Sequence, residues 1–324
     1  MVKGEIQLIK QLMRLLRRED QSGMLGIEIG PYGIAVAVVG QTSDDNLDHC
    51  MCHFIEGNDL EKNGEKLKEY LDDVGCGGKA AHIVLHPDIY DIYFVDRPEV
   101  EDSELKEAIR WKIKDLVDIP LDELVVDAFA LPDDAYGGSQ KKAYAVTIER
   151  AQMDSIVSML DTSGVDIRYV SISELAIENL LKLRRENDDG SSAVLRLRTA
   201  GGTLSLSDGG YLYLTRALES GISMIELGDG EVRQEGLDSL LLEIQRSLDF
   251  YDSQLGKGRV RRFLMAPTRI DHSKVDDFLE SNLGIKVVSL NINELFEVDE
   301  EIPDELQAHC FAAIGAACGE GSRK

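Results

Sequence analysis

MLGIEIGPYGIAVAVV, residues 24–39, consists of two apolar runs on either side of the turn residues Gly30-Pro31-Tyr32-Gly33. Short apolar runs bounded by Gly and Pro are typical of β-strands, and Gly readily adopts the backbone angles of a tight turn. The stretch therefore predicts a β-hairpin. We expect this hairpin to begin the first folded unit of the chain.

A second hairpin is predicted about half a chain later, between Ala193 and Thr215. Residues alternate between apolar and polar from 203 to 207 and from 211 to 215, on either side of Asp208-Gly209-Gly210. This alternation around Asp-Gly is a strong hairpin signal. Two similar hairpins at this separation indicate an internal duplication. We therefore predict an α/β protein with two lobes, as in actin-like and sugar-kinase-like folds.

Composition restricts the class of protein. The 324 residues include 35 Lys and Arg against 60 Asp and Glu, and the formal net charge of −25 disfavours a nucleic-acid partner. The five cysteines include no C-x-x-C pair, which is typical of reduced thiols in a cytosol. No stretch approaches the roughly 18 apolar residues of a membrane span, and the N-terminus lacks the apolar core of a secretory signal. We expect a soluble intracellular protein.

The first 22 residues differ from the acidic remainder because they form a basic amphipathic pattern. At about 100° per residue, apolar side chains fill one side of a helix and cations fill the other. The cations are Lys3, Lys10, Arg14, Arg17 and Arg18. Such a helix is attracted to anionic headgroups and buries its apolar face among them. We predict peripheral membrane contact through residues 1–20; the alternatives are docking on the chain's own body or on a partner, and a frayed tail.

A change of pattern at Pro98 interrupts the first half of the chain. Residues 98–164 predict a helix that extends up to Pro120, two strands and a second helix, which together form an inserted α+β subdomain. The first lobe then comprises residues 23–97 and 165–189, and a polar run at 184–192 separates it from a second lobe at 190–324. Trp111, the only tryptophan, lies off the apolar stripe of the predicted helix. Either another element covers this side chain or it contacts a partner.

In actin-like ATPases both hairpins bind phosphates, an Asp near each turn holds Mg²⁺ and its water, and a Gly-Gly turn receives the adenosine. This sequence departs from that pattern at all three places. The residues there are Glu28, Gly30, Gly33, Arg196, Arg198, Ala266 and Pro267. Cations replace a metal-binding carboxylate, and Pro31 removes an N–H donor. We expect a degenerate nucleotide cleft without catalytic residues, ATP or Mg²⁺; an active ATPase or small-molecule kinase is the alternative.

A third interpretation concerns the cluster HCMCH at residues 49–53, in a predicted strand. Alternate side chains of a strand point to opposite faces, so His49 and His53 are separated from Cys50 and Cys52. Four such groups cannot converge on one tetrahedral ion. We predict no metal here, and a thiol or zinc protein is the alternative.

Three stretches resemble the PilM/MshI family of type IV pilus (MSHA pilus) biogenesis proteins. They are LGIEIGPYGIAVAVV, ELKEAIRWKIKDLVDIPLDELVVDAFAL and LLLEIQRSLDFYDSQL. The resemblance implies an actin-like fold similar to FtsA and PilM, with a subdomain inserted in the first lobe. It also implies a cytoplasmic protein at the inner-membrane platform of a pilus machine, which binds the cytoplasmic tail of a bitopic PilN-like protein and other platform proteins. Trp111 and Phe129 mark the implied partner surface, and the altered cleft residues imply a pseudo-ATPase scaffold.

Overall fold

Two five-stranded sheets dominate the computed structural model, which describes residues 24–41, 47–138, 140–183, 190–228 and 231–319. The strands are β1 (Met24–Gly30), β2 (Gly33–Gln41), β3 (Leu47–Glu56), β4 (Ala80–Leu85), β5 (Asp91–Asp96), β6 (Leu124–Ala130), β7 (Lys142–Glu149), β8 (Asp166–Ile172), β9 (Ser192–Arg198), β10 (Gly201–Asp208), β11 (Tyr211–Leu218), β12 (Glu226–Gly228), β13 (Glu231–Val232), β14 (Arg262–Met265) and β15 (Val287–Ser289). The helices are α1 (Leu60–Asp73), α2 (Asp102–Lys112), α3 (Arg150–Thr162), α4 (Ser173–Leu183), α5 (Ile222–Ile225), α6 (Gln234–Ser253), α7 (Ser273–Leu283), α8 (Ile292–Leu295) and α9 (Asp304–Ala317).

The two large sheets share one topology, which confirms the predicted duplication. The first sheet has the order β3-β2-β1-β4-β8, and the second has the order β11-β10-β9-β14-β15. In each, three antiparallel strands continue into two parallel strands. The predicted β1-β2 hairpin pairs Gly30 with Gly33, and its equivalent in the second sheet is β9-β10. The Asp208-Gly209-Gly210 turn instead joins the next pair, β10-β11.

The C-terminal helix α9 packs on the first sheet, although the sequence places it in the second lobe. A Cβ at Gly26 of β1 would lie 2.0 Å from the carbonyl oxygen of Ala313, and a Cβ at Gly315 would lie 2.2 Å from that of Ala176 in α4. The missing side chains allow backbones to approach this closely. Helix α9 is apolar and buried nearly all round, as expected for a helix enclosed by other elements. We therefore assign α9 to the first lobe rather than to residues 190–324.

The inserted subdomain also differs from the predicted range 98–164. Its sheet has the order β5-β7-β6, so it begins with β5, because β5 pairs with β7 rather than with the first sheet. Helix α2 ends at Lys112 instead of continuing to Pro120. Helix α3 packs in the first-lobe core, where Leu160 joins the same apolar cluster as Leu67 of α1. The subdomain therefore consists of β5, α2, β6 and β7.

Two predictions fall on residues outside the described ranges. These are the basic amphipathic segment at residues 1–22 and most of the polar run at 184–192. In the part of the chain that the structure describes, no helix is both long and apolar enough to cross a membrane.

Candidate functional site

A buried ion pair joins the two lobes where the sequence predicts a degenerate nucleotide cleft. Glu28 shares a face of β1 with Gly26, which contacts α9, and Arg196 shares a face of β9 with Val194, which belongs to the core between the sheets. The Arg196 guanidinium donates to both carboxylate oxygens of Glu28, at 3.2 Å from Oε1 and 3.3 Å from Oε2. It also donates to Ser173 Oγ at 2.5 Å. One side chain therefore connects β9 with β1 and the start of α4.

Burial dominates the electrostatics of this pair. Glu28 is 3% exposed and Arg196 is 6% exposed. Removal of the carboxylate from water raises the pKa of Glu28, and the adjacent Arg196 charge opposes that rise. Neither charge has access to bulk water that could replace its partner. Each charge is therefore stable in this buried position only because the opposite charge lies beside it. The pair holds the two lobes together at this point.

Further polar groups surround the pair. Arg198 Nη2 lies 3.3 Å from Asp88 Oδ1, and Arg198 Nη1 donates to Thr203 Oγ1 at 2.8 Å. The Tyr90 hydroxyl donates to the Glu174 carboxylate. Burial raises the pKa of Glu174. Each carboxylate described here therefore accepts from a donor of the chain itself.

The glycines of the first turn contact protein rather than an open space. A Cβ at Gly30 would lie 3.0 Å from the Cβ of His86, so the turn packs on the segment after β4. Burial, with the two nearby arginines, lowers the pKa of His86 to about 2, and the imidazole is neutral. A Cβ at Gly33 would lie 2.3 Å from the carbonyl oxygen of Ile55 in β3. Phosphate-binding turns instead direct backbone N–H groups toward an open cradle.

The third predicted turn, Ala266-Pro267, follows β14 and is buried. The Ala266 N–H donates to the Leu195 carbonyl at 2.9 Å, which places the turn beside Arg196. The structure thus brings Glu28, Arg196 and Ala266 close together. Gly33 instead packs on β3. A small cavity beside Arg196, lined also by Ser173 and Glu174, measures about 10 Å³, and Arg196 is the one predicted cleft residue among its lining residues. That is room for about one water molecule, whereas ligand pockets measure about 300–1,000 Å³.

Sequence analysis missed four members of this network: Ser173, Glu174, Tyr90 and Asp88. The spacing of Ser171 and Glu174 is typical of a helix-capping box. In the structure Ser171 belongs to β8, and Glu174 accepts from Tyr90 instead. The available signal was that Glu174 shares the apolar face of its helix with Ile177, and a carboxylate on such a face needs a buried partner.

A second candidate site is a groove of about 750 Å³ on the inserted subdomain, between the end of α2 and the loop that follows it. Trp111 lines the groove and is 63% exposed. The loop is fixed where Arg110 Nη2 donates to the Leu121 carbonyl oxygen at 2.5 Å. Val117 and Ile119 add partly buried apolar surface. The early end of α2 therefore creates the groove and exposes Trp111 in it.

Phe129, the other predicted partner residue, does not line this groove. Its ring centroid lies 5.3 Å from that of Tyr144 in β7, and it packs against the cores of both lobes. Val126, which points to the opposite face of β6, packs with the buried residues of α2. The small sheet therefore separates Phe129 from Trp111.

Strand β3 places the side chains of HCMCH on alternate faces, as predicted. His53 stacks on Tyr70 of α1, with ring centroids 4.2 Å apart, whereas Cys50 and Cys52 face the cluster that contains α9. Among the residues that the structure describes, no group of three His, Cys, Asp or Glu side chains is arranged to hold a metal ion.

Comparison with known proteins bears on the fold. No protein-family model and no curated protein matches this sequence. A solved structure of the PilM–PilN type IV pilus biogenesis complex is similar over 92% of this chain and 98% of its own, with a TM-score of 0.72 and 18% identity. The cytoplasmic domain of EpsL, an inner membrane component of the type II secretion system of Vibrio cholerae, is similar over 92% and 96%, with a TM-score of 0.51 and 10% identity.

A Bacteroides thetaiotaomicron protein with an actin-like ATPase fold and unknown function is similar over 86% of this chain and 94% of its own, with a TM-score of 0.53 and 10% identity. Similarity at these identities bears on the fold alone. The duplicated sheets and the small inserted sheet agree with it. The chain has a two-lobed actin-like ATPase fold.

Proposed function

We propose that this chain is a non-enzymatic scaffold of a type IV pilus assembly platform, of the MshI type that serves the MSHA pilus, at the cytoplasmic face of the inner membrane. The observation that carries the proposal is the similarity to the PilM–PilN complex over 92% of this chain. The three sequence stretches that resemble the PilM/MshI family support it independently. The net charge of −25 leaves nucleic acid out of the proposed partners.

The proposed partner is the cytoplasmic tail of a bitopic PilN-like protein, bound in the groove at the end of α2. Trp111 provides a large exposed side chain of the kind that contributes most to interface energies. Val117 and Ile119 offer apolar surface beside it. The groove accommodates a few side chains of an extended segment rather than a folded domain. Other platform proteins are proposed to bind elsewhere on the chain.

The proposal includes no ATP, Mg²⁺ or catalytic residue. A magnesium–phosphate site needs a carboxylate or water for the metal and open amides for the phosphates. Here the Glu28 carboxylate accepts from Arg196, whose charge repels a cation. These observations support a pseudo-ATPase rather than an active ATPase or small-molecule kinase.

The test measures binding of a synthetic peptide with the sequence of the PilN-like tail from the same organism, with and without Mg-ATP. We expect equal affinity in both conditions. Trp111→Ala should weaken binding at least tenfold, because truncation of an interface anchor costs about 2 kcal/mol or more. Tyr211→Ala is the matched control, since it removes an aromatic side chain that is 64% exposed on the second lobe. It should leave the affinity unchanged.

Thermal denaturation gives a second readout of the same proposal. A ligand at 100 times its dissociation constant adds about 2.7 kcal/mol to the free energy of unfolding, so Mg-ATP should leave the melting temperature of this chain unchanged. Stabilisation by Mg-ATP, or tail binding that requires it, would contradict the pseudo-ATPase. Absence of tail binding would contradict the scaffold. Equal affinities of wild type and Trp111→Ala would exclude the proposed groove.

A further inference from the structure

Three thiols meet where β3 contacts the C-terminal helix α9. The sulfur atoms of Cys50 and Cys52 are 3.7 Å apart on one face of β3. Cys310 of α9 lies opposite them, with its Sγ 3.4 Å from the carbonyl oxygen of His53. Cys52 and Cys310 pack in the same cluster of side chains. All three are free thiols, and the proposed scaffold function uses none of them.

Cys52 is the central and most accessible member of this cluster. Cys50 and Cys310 are buried, whereas Cys52 is partly exposed. Hydrogen bonds from the thiols of Cys310 and Cys50 stabilise a thiolate on Cys52 and lower its pKa well below the usual range. The hydrogen bond with Cys52 raises the pKa of Cys50, and burial raises the pKa of Cys310. Cys52 is therefore the sulfur of this cluster that forms a thiolate most readily.

We propose that Cys52 is an oxidation-sensitive residue that forms a disulfide with Cys310 and so joins β3 to α9 covalently. Cys50 is a poorer partner because residues i and i+2 of a strand, and their Cβ atoms, are about 6.6 Å apart. A disulfide requires Cβ atoms about 3.5–4.5 Å apart. Cys310 instead approaches Cys52 across a packed helix–strand interface, from the side toward which the Cys52 side chain points.

The reaction with a peroxide proceeds in two balanced steps. The Cys52 thiolate attacks one peroxide oxygen, the O–O bond breaks, and the second oxygen leaves and takes up a proton as water, which gives a sulfenic acid. The Cys310 sulfur then attacks the sulfur of Cys52, the S–O bond breaks, and the departing hydroxide takes the proton of the Cys310 thiol. Two thiols lose two electrons in total, and one hydrogen peroxide becomes two waters.

The test treats the reduced full-length chain with increasing hydrogen peroxide and then blocks free thiols with N-ethylmaleimide. Mass spectrometry of an unreduced digest counts the blocked cysteines and identifies cross-linked peptides. We expect two of the five thiols to be lost, together with one cross-link between the peptides of Cys52 and Cys310. Cys76→Ser is the matched control, because Cys76 is also buried but belongs to the first-lobe core. This variant should lose two thiols as the wild type does.

Two further variants separate the roles of the sulfurs. Cys52→Ser should keep its four remaining thiols, and Cys310→Ser should stop at a sulfenic acid on Cys52 that dimedone traps. Cys310 is fully buried, so its substitution can prevent folding. In that case the peptide map of the wild type shows whether Cys52 and Cys310 are cross-linked. Retention of all five thiols by the folded wild type, or a cross-link between Cys50 and Cys52, would overturn the proposal.

Discussion

The Arg196→Met variant tests whether the buried pair with Glu28 holds the two lobes together. Met fills much of the same space without charge. Glu28, which is 3% exposed in the wild type, therefore loses a cation whose guanidinium lies 3.2 and 3.3 Å from its two oxygens. Removal of one partner from a buried ion pair costs about 3–5 kcal/mol. Solvent does not screen this loss, because both side chains are nearly inaccessible. We expect the free energy of unfolding in urea to fall by that amount.

Two further variants serve as controls for this prediction. Arg198→Met removes a cation two residues along the same strand, where the partner Asp88 lies 3.3 Å away and its side chain is 37% exposed. Such a pair contributes at most about 1 kcal/mol. The double variant Glu28→Met with Arg196→Met should recover most of the loss, since apolar replacement of both partners is often neutral or stabilising.

The loss should also depend on pH. Burial raises the folded-state pKa of Glu28, and removal of Arg196 abolishes the attraction that opposes this rise. A folded state that binds the proton more tightly than the unfolded state is favoured at low pH and loses stability as pH rises through the folded pKa. Each pKa unit corresponds to about 1.36 kcal/mol. The variant should therefore be closer to wild type at about pH 5 than at about pH 8. The reasoning would be refuted if Arg196→Met lowered the free energy of unfolding no more than Arg198→Met does, or if the loss did not change with pH.

Two other predictions concern α9 and the N-terminal segment. Gly26→Ala should lower the free energy of unfolding by about 1–3 kcal/mol, because the added Cβ would meet the Ala313 carbonyl oxygen at 2.0 Å. Gly40→Ala is its control, since that Cβ meets His49 at ordinary contact distances, 3.4 Å from its Cβ and 3.9 Å from its carbonyl oxygen; equal effects would contradict the close packing of α9. Deletion of residues 1–20 should abolish co-sedimentation with anionic vesicles, because it removes the cations and apolar face of the predicted amphipathic helix. Unchanged sedimentation would contradict the membrane contact.

Local pattern was sufficient for the two hairpins. The turn at Gly30-Pro31-Tyr32-Gly33 and the alternation around Asp208-Gly209-Gly210 depend on neighbouring residues alone, and both lie in the structure where they were predicted. The substitutions at Glu28 and Arg196 were also visible in the sequence. What the sequence did not give was their contact, because these residues are 168 positions apart. Only the meeting of the two sheets brings them together.

The assignment of α9 was wrong because this helix is buried between distant parts of the chain. Helix α9 follows the second lobe in sequence, so chain order suggested that it belongs to that lobe. In the structure it packs on the first sheet, where Gly26 has no side chain and allows a close approach. Its uniformly apolar residues were a usable signal, since a helix without a polar face is enclosed on all sides. The end of α2 at Lys112 was harder to predict from the sequence, because Leu116 continues the helical spacing of apolar residues. In the structure Leu116 is exposed.

Arginine at position 196 suits a side chain that connects three elements of the two lobes. A planar guanidinium donates in several directions at once, so one side chain reaches both oxygens of Glu28 and the hydroxyl of Ser173. A lysine ammonium, as a single charged point, does not offer this fork. Glu28 and Arg196 pair with each other, so this contact between the lobes requires no nucleotide. Separation of the lobes would expose both buried charges. In the proposed scaffold, contacts of the chain itself therefore hold the two lobes together at this point.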